Sequence, residues 1–259
     1  MTREPHANVQ EPADDFKIKG VLKDPGKSAF RKYRDIYYGD TSLGYVIKSE
    51  LVITLTSGVS GALGLALRQL LYPSLFKSSG HHVVFGKNIT LRHAHKISLG
   101  NRVILDDNVV VDAKGESNEG VSIGDDVYVG RNTILYCKNG NISIEPAVNI
   151  SSNCQIFSSN QLTLGRQTVV AAYTYILSGG QYDYTDGTKT FAEQSGMNTR
   201  GPTVVGPNCW LAAHVVIVDG VTIGEHSVIG AGSVVTRDIP PDTLAAGTPA
   251  KAVKSIETQ

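Results

Sequence analysis

The chain has 259 residues, with 24 Lys and Arg against 24 Asp and Glu, so its formal net charge is zero. Scattered, balanced charge supplies no basic face for a phosphate backbone, and no nucleic-acid partner is expected. Hydrophobic residues reach 41%, glycine 27 residues and aromatics only 7%, which favours many short β elements with tight corners over a helical bundle.

Residues 1–44 open with MTREPHANVQEPADDFKIKG, polar and proline-containing, and read as a polar N-terminal arm. Residues 45–80 read as a hydrophobic to amphipathic helical segment. Within it LVITLTSGVSGALGLAL, 51–67, holds no charge between Glu50 and Arg68. Seventeen residues fall short of the roughly 20 that cross a bilayer as a helix. Arg68, Tyr72 and Lys77 follow as a basic and aromatic fringe. Two readings stay open for 45–77: packing against the main domain or a second subunit, and peripheral contact with a membrane. Cys137, Cys154 and Cys209 are too widely spaced for a CxxC signature. Their odd number, with no cleavable signal read at the start, predicts a cytoplasmic setting, with the inner face of the plasma membrane as the peripheral option.

From about residue 85 a six-residue period takes over. Leu99, Leu105 and Val111 form one block; Ile123, Val129 and Leu135 the next; then Ile144, Ile150, Ile156 and Leu164, Val170, Ile176. The longest run is Val205, Leu211, Ile217, Ile223, Ile229 and Val235. Neither a helix nor a simple strand has a period of six. A left-handed parallel β-helix does, because each hexad is a short strand and a corner with one aliphatic side chain pointing into a prism. The fold class is therefore all-β, with a helical, partly hydrophobic N-terminal extension. The β-helix domain spans 81–254 and 255–259 is a tail. Two stretches break the phase: a short polar loop at 112–121 and a long one at 177–204, a length that usually carries function.

The segment VGPNCWLAAHVVIVDGVTIGEHSVIGAGSVVTRDIPPDTLAAGTPAKAVK, 205–254, resembles the C-terminal signature of hexapeptide-repeat O-acetyltransferases such as those acting on galactosides, maltose, nodulation factors and streptogramins. The specific pieces are Cys209-Trp210, the run at 221–241 and the closing GTPAKAV. GALGLALRQLLYPSLF and VVFGKNITLRHAHKISLGNRVILDDNVVVDAKG resemble a subgroup tied to bacterial surface-polysaccharide acetylation. The resemblance implies a homotrimer with sites between subunits. It implies acetyl-CoA as cosubstrate, no metal, and a sugar or glycolipid hydroxyl as acceptor, lipid-linked at a membrane in one reading. It also implies that Trp210, Ala213, Ala231, Thr236, Arg237, Lys251 and Lys254 meet CoA.

Acetyl transfer to an alcohol needs a general base, and the family places a His after a Gly-Gly turn at the start of the long loop. Here the turn reads Ser178-Gly179-Gly180-Gln181, and Gln has no basic nitrogen. Three readings stay open: a substituted active site, a different base among Asp183, Tyr182 and His214, or a non-catalytic β-helical scaffold that binds CoA or a sugar. His93 and His95 read as structural, with a place on a substrate cleft or charged rim as the alternative, and His226 reads as an exposed corner residue. A γ-class carbonic anhydrase would need three zinc-binding His on stacked coils, and His214 and His226 are twelve residues apart on one coil. A sugar nucleotidyltransferase would need a glycine-rich nucleotide domain that residues 1–84 do not contain.

Overall fold

The computed structural model describes Val21 and residues 24–256, apart from Asp186 and Ser195. Residues 1–20 of the polar arm and the tail beyond Ile256 lie outside the described residues. Part of the arm is helical. Helix α1, Ala29–Tyr37, starts where Ser28 Oγ accepts from Arg31 N at 3.2 Å. It docks because Tyr33, Tyr37 and Tyr38 form an aromatic face that the polar composition concealed. The Tyr38 hydroxyl donates to Glu50 Oε1 at 2.6 Å and the Tyr33 hydroxyl joins it on the same oxygen. Burial and this carboxylate push the Tyr33 hydroxyl up to about 12.

Helix α2, Leu43–Thr56, is capped by Ser42 in the same way, and α3, Gly61–Leu71, follows a four-residue turn. A short 3-10 turn at Tyr72–Leu75, with Pro73 in its first turn, ends the helical run. Tyr72, Leu75, Phe76 and Phe85 then plug the open end of the β-helix, with Phe76 and Phe85 stacked at 5.5 Å.

The rest is the prism. Three sheets of seven, nine and seven strands, here faces A, B and C, are visited in rotation, so each strand pairs in parallel with one a full turn away, except that face B closes on an antiparallel hairpin of Thr243–Gly247 and Ala250–Ser255. The hexad positions are the core. Leu99, Ile123, Ile144, Leu164, Val205 and Ile223 stack in register on face A. Leu105, Val129, Ile150, Val170, Leu211 and Ile229 do so on face B. Val111, Leu135, Ile156, Ile176, Ile217 and Val235 line face C. All eighteen are buried, none more than 4% exposed. This is the left-handed parallel β-helix that the period predicts.

Corners explain the residues between the aliphatics. Asn108, Asn132, Asn153 and Asn208 sit at positive φ between 53° and 60°, a region where Asn costs less than other side chains. The extra residues of irregular coils all fall at one corner, where face C passes to face A. Asn139, Asn160 and both phase-breaking loops lie there. Asn118 Nδ2 donates to Gly140 O at 2.8 Å and Asn160 Nδ2 to Thr199 Oγ1 at 3.2 Å, so successive insertions support one another.

The helices meet the first coils through His93 and His95. His93 N donates to Tyr37 O at 2.9 Å, and Tyr45 meets the His95 ring edge-on at 5.9 Å. Desolvation, then the neighbouring His93 and Lys96, lowers the His95 pKa to about 4. An unfolded His titrates near 6.5, so the unfolded chain binds the proton first as pH falls. Stability held above about pH 6.5 should thus decline towards pH 4, by on the order of 1–2 kcal/mol for this half-buried ring. Urea unfolding of His95→Gln should show a flatter profile over that window; an unchanged profile would remove His95 as the cause.

Candidate active site

The long loop leaves face C after Tyr175–Ser178 and re-enters face A at Thr203–Val205. Its two ends are sewn together by Gln181 and Asn198, which exchange backbone hydrogen bonds at 2.9 and 3.2 Å. Beneath the seam sits Asp219, 2% exposed. Its carboxylate accepts from Gly179 N, from Gln181 Nε2 at 2.9 Å, from Thr199 Oγ1 at 2.9 Å and from Arg200 N at 2.6 Å. The Arg200 guanidinium donates twice to the Asp219 carbonyl, at 3.0 and 2.5 Å. Four donors around one buried carboxylate fix where Gln181 points. Gly179 and Gly180 have φ of 92° and 83°, and a Cβ on Gly180 would come within 2.7 Å of the Phe157 ring, so the turn needs glycine twice.

Outside the seam the loop is aromatic and exposed: Tyr182 meets Phe191 edge-on at 6.0 Å, and Tyr184 projects into solvent. Met197 is buried beneath and holds the return segment down. Asp183 is committed locally, accepting from Thr185 N at 2.8 Å and Thr185 Oγ1 at 2.6 Å. From the seam an external ladder runs along face C through Leu177, Phe157, Tyr136, Asp112 and Arg92, each in register with the next. Tyr136 packs on Phe157 at 4.7 Å, and Lys114 Nζ lies 5.7 Å from the Tyr136 ring centre. Desolvation lowers the Lys114 pKa, and Asp112 opposes the shift. Arg92 lies 3.5 Å from Asp112 and 4.6 Å from the centre of the Tyr37 ring.

The remaining site residues expected from the sequence are spread around the prism. Thr236 and Arg237 follow Val234–Val235, one coil beyond Asp219 at the same corner. Ala213 and Ala231 stack at the corner between faces B and C, where Gly232 N donates to Ala213 O at 2.9 Å. His214 is at that corner too, exposed, with φ 59° and its ring stacked on Tyr173 at 5.0 Å. Trp210 stands 54% exposed on face B, in register with Val228 and through it Leu244. That row continues into a groove of about 750 Å³ lined by Val228, Leu244, Lys254, Ser255 and Ile256. Lys251 lies on the same closing hairpin. One chain thus brings Gln181, Tyr182 and Asp183 together near Thr236 and Arg237. It leaves Trp210 and Lys254 on the face opposite that corner.

Asp219, Thr199 and Arg200 were not singled out by sequence reasoning. Asp219 belongs to a Val218-Asp219-Gly220 corner that reads like any other, and its partner Gly179 is forty residues earlier.

Residues 202–237 match the family model for bacterial transferase hexapeptide (six repeats). Over that stretch the chain is similar to the hexapeptide-repeat transferases. Over 117 residues it is 38% identical to a Staphylococcus aureus (strain Mu50) protein named provisionally as an acetyltransferase, covering 45% of this chain and 56% of that one. It is 32% identical over 135 residues to the galactoside O-acetyltransferase of Escherichia coli K12, covering 52% and 57%. The chain therefore spans a little over half the length of the curated relatives it matches. Among solved structures, a mutant of AntD, an N-acyltransferase from Bacillus cereus in complex with dTDP and coenzyme A, superposes with a TM-score of 0.51. That match is 20% identical and covers 77% of this chain and 92% of that one, a likeness of fold.

Proposed function

We propose that this chain is an acetyl-CoA-dependent O-acetyltransferase acting on a hydroxyl of a sugar or polysaccharide precursor. The observation that supports the reading is the seam at Asp219, which fixes the loop-borne Gln181 side chain, the residue that the resemblance aligns with the family's base. The relatives with 38% and 32% identity are named as acetyltransferases, one of them for galactosides, and the AntD structure holds coenzyme A. In the reaction the acceptor oxygen attacks the thioester carbonyl, the new C–O bond forms, and the C–S bond breaks. The hydroxyl proton ends on the departing CoA thiolate, giving the free thiol. Gln181 orients the acceptor by hydrogen bonding, Tyr182 and Phe191 offer aromatic faces to a sugar ring, and the Phe157–Tyr136–Lys114 ladder lines its approach. Trp210, Ala213 and Ala231 contact the pantetheine arm, while Thr236, Arg237, Lys251 and Lys254 serve the nucleotide end, their cations suiting phosphates.

The separation of Trp210 from Gln181 within one chain supports a homotrimer, in which the cleft joins the loop of one copy to face B of the next. The acceptor in this reading is lipid-linked and presented at a membrane surface, with the protein peripheral on its cytoplasmic side. One observation favours a second reading: Gln181 cannot take a proton, and a CoA- or sugar-binding scaffold would need no base.

A thermal-shift titration with CoA and acetyl-CoA tests the cofactor cleft. Ligand that binds only the folded state adds about 2.7 kcal/mol at a hundredfold excess over Kd, and the midpoint should rise saturably. Trp210→Ala should abolish most of the rise without lowering the unliganded midpoint, since the indole is exposed. No rise in the parent chain would overturn the transferase reading.

A further inference from the structure

Helices α2 and α3 carry apolar side chains on the face turned to water as well as on the face turned to the β-helix. The faces turned to the β-helix bury Val46, Ser49, Thr56, Gly64 and Arg68, with Val52 and Ile53 packed against the core. The faces turned outward carry Leu43, Ile47, Leu51 and Leu55 as one stripe of α2, and Leu63 and Leu70 on α3, with Leu70 75% exposed. A surface helix of a globular protein normally presents polar residues on that outward side. The inward charge is fully engaged. Arg68 Nε donates to Phe85 O at 2.9 Å, and Arg68 Nη1 donates to Thr56 O at 3.0 Å and Val59 O at 2.8 Å. One guanidinium thereby closes the turn between the helices and ties the hairpin to the first coil. Its connecting turn, Ser57-Gly58-Val59-Ser60, is uncharged, accepts from Asn88 N of the first coil at Ser57 O, 3.0 Å, and leaves open space around Gly58.

We propose that the outward face of the α2–α3 hairpin is the surface by which this chain lies in the interface of an anionic lipid bilayer. Length argues for lying in rather than crossing. At 1.5 Å per residue the fourteen and eleven residues of α2 and α3 extend about 21 and 16 Å, short of the roughly 30 Å hydrocarbon layer. Among the described residues no helix is long and apolar enough to cross a membrane. Charge argues for anionic lipid over a second copy. Besides the buried Arg68, residues 27–77 contain six Lys and Arg against three Asp and Glu, in a chain balanced overall. Arg31, Lys48 and Lys77 of that set are exposed. A twofold contact would set this excess against itself, whereas anionic headgroups neutralise it; the heterologous contacts of a trimer are read by the oligomeric mass below. The inference deepens the membrane half of the proposed function and does not depend on acetyl transfer.

Co-sedimentation of the full chain, without CoA, is measured with vesicles of phosphatidylcholine alone and of phosphatidylcholine mixed with phosphatidylglycerol. Binding to the anionic vesicles is expected. The double variant Leu55→Gln/Leu63→Gln should partition about tenfold or more weakly, with unchanged melting midpoint and sedimentation mass. Lys77→Glu should weaken binding to the anionic vesicles only. Absence of vesicle binding, or equal binding by the parent and the double variant, would overturn the proposal. So would a double variant of lower oligomeric mass, which would assign the stripe to a second copy. The CoA titration described above reads the other half of the function independently.

Discussion

Gln181→His is expected to raise acetyl transfer from acetyl-CoA by about 10²-fold or more, the usual contribution of a well-placed general base. The expectation rests on Asp219. Its Oδ2 already accepts a hydrogen bond from the Gln181 side chain at 2.9 Å, and an imidazole there would donate one ring N–H to the same oxygen. That fixes the tautomer and turns the other nitrogen, unprotonated, toward the acceptor. The carboxylate also favours imidazolium, so the new His should titrate above its ordinary value of about 6.5. The unprotonated form is the active one, so the rate of the variant should rise with pH through that raised value and then level. The parent chain should lack this limb. Single-turnover transfer to a series of simple galactosides and glucosides would read both features. A variant that binds CoA and an acceptor yet gains no rate would remove position 181 as the missing base and favour the scaffold.

Asp219→Ala should have the second large effect, and it is a structural one with a functional readout. Four donors lose their common acceptor, and Gly179 N and the Gln181 amide are left to water or to nothing. Removing the centre of such a network costs about 3–5 kcal/mol. The cost should fall first on the loop, because the prism core beneath it rests on separate aliphatic ladders. Proteolysis within residues 182–200 is expected to become at least about tenfold faster while the stacked coils stay protected. Asp219→Asn keeps the volume but presents an amide to donors, and should lie between the two. In the Gln181→His background Asp219→Ala should erase the gain in rate, a coupling that two independent positions would not show. An unchanged proteolysis rate in Asp219→Ala would show that the seam does not order the loop.

The β-helix was legible because its signal is repeated and local. Each coil needs an aliphatic residue at every sixth position, and all eighteen hexad residues read from the chain are buried in three ladders. Helix α1 was less legible, since its fit depends on Tyr33 and Tyr38 reaching Glu50 on another helix, a contact that composition does not encode. The loop's position and its departure at Gln181 were visible; its anchor was not. Asp219 pairs across thirty-eight to forty residues and looks like an ordinary corner residue from its neighbours.

The amino-acid sequence by itself determined the prism, its coil boundaries, the place of the long loop and the uncharged stretch between Glu50 and Arg68. Period, glycine corners and absence of charge are properties of neighbouring residues, and they need no distant partner to act. Tertiary structure alone decided which carboxylate holds the loop, which way α2 and α3 turn their leucines, and that Trp210 and Gln181 stand on opposite sides of one chain. Those outcomes depend on which residues stacking brings together from separate coils: with Val46, Val52, Ile53 and Arg68 turned to the first coils, the leucines face outward.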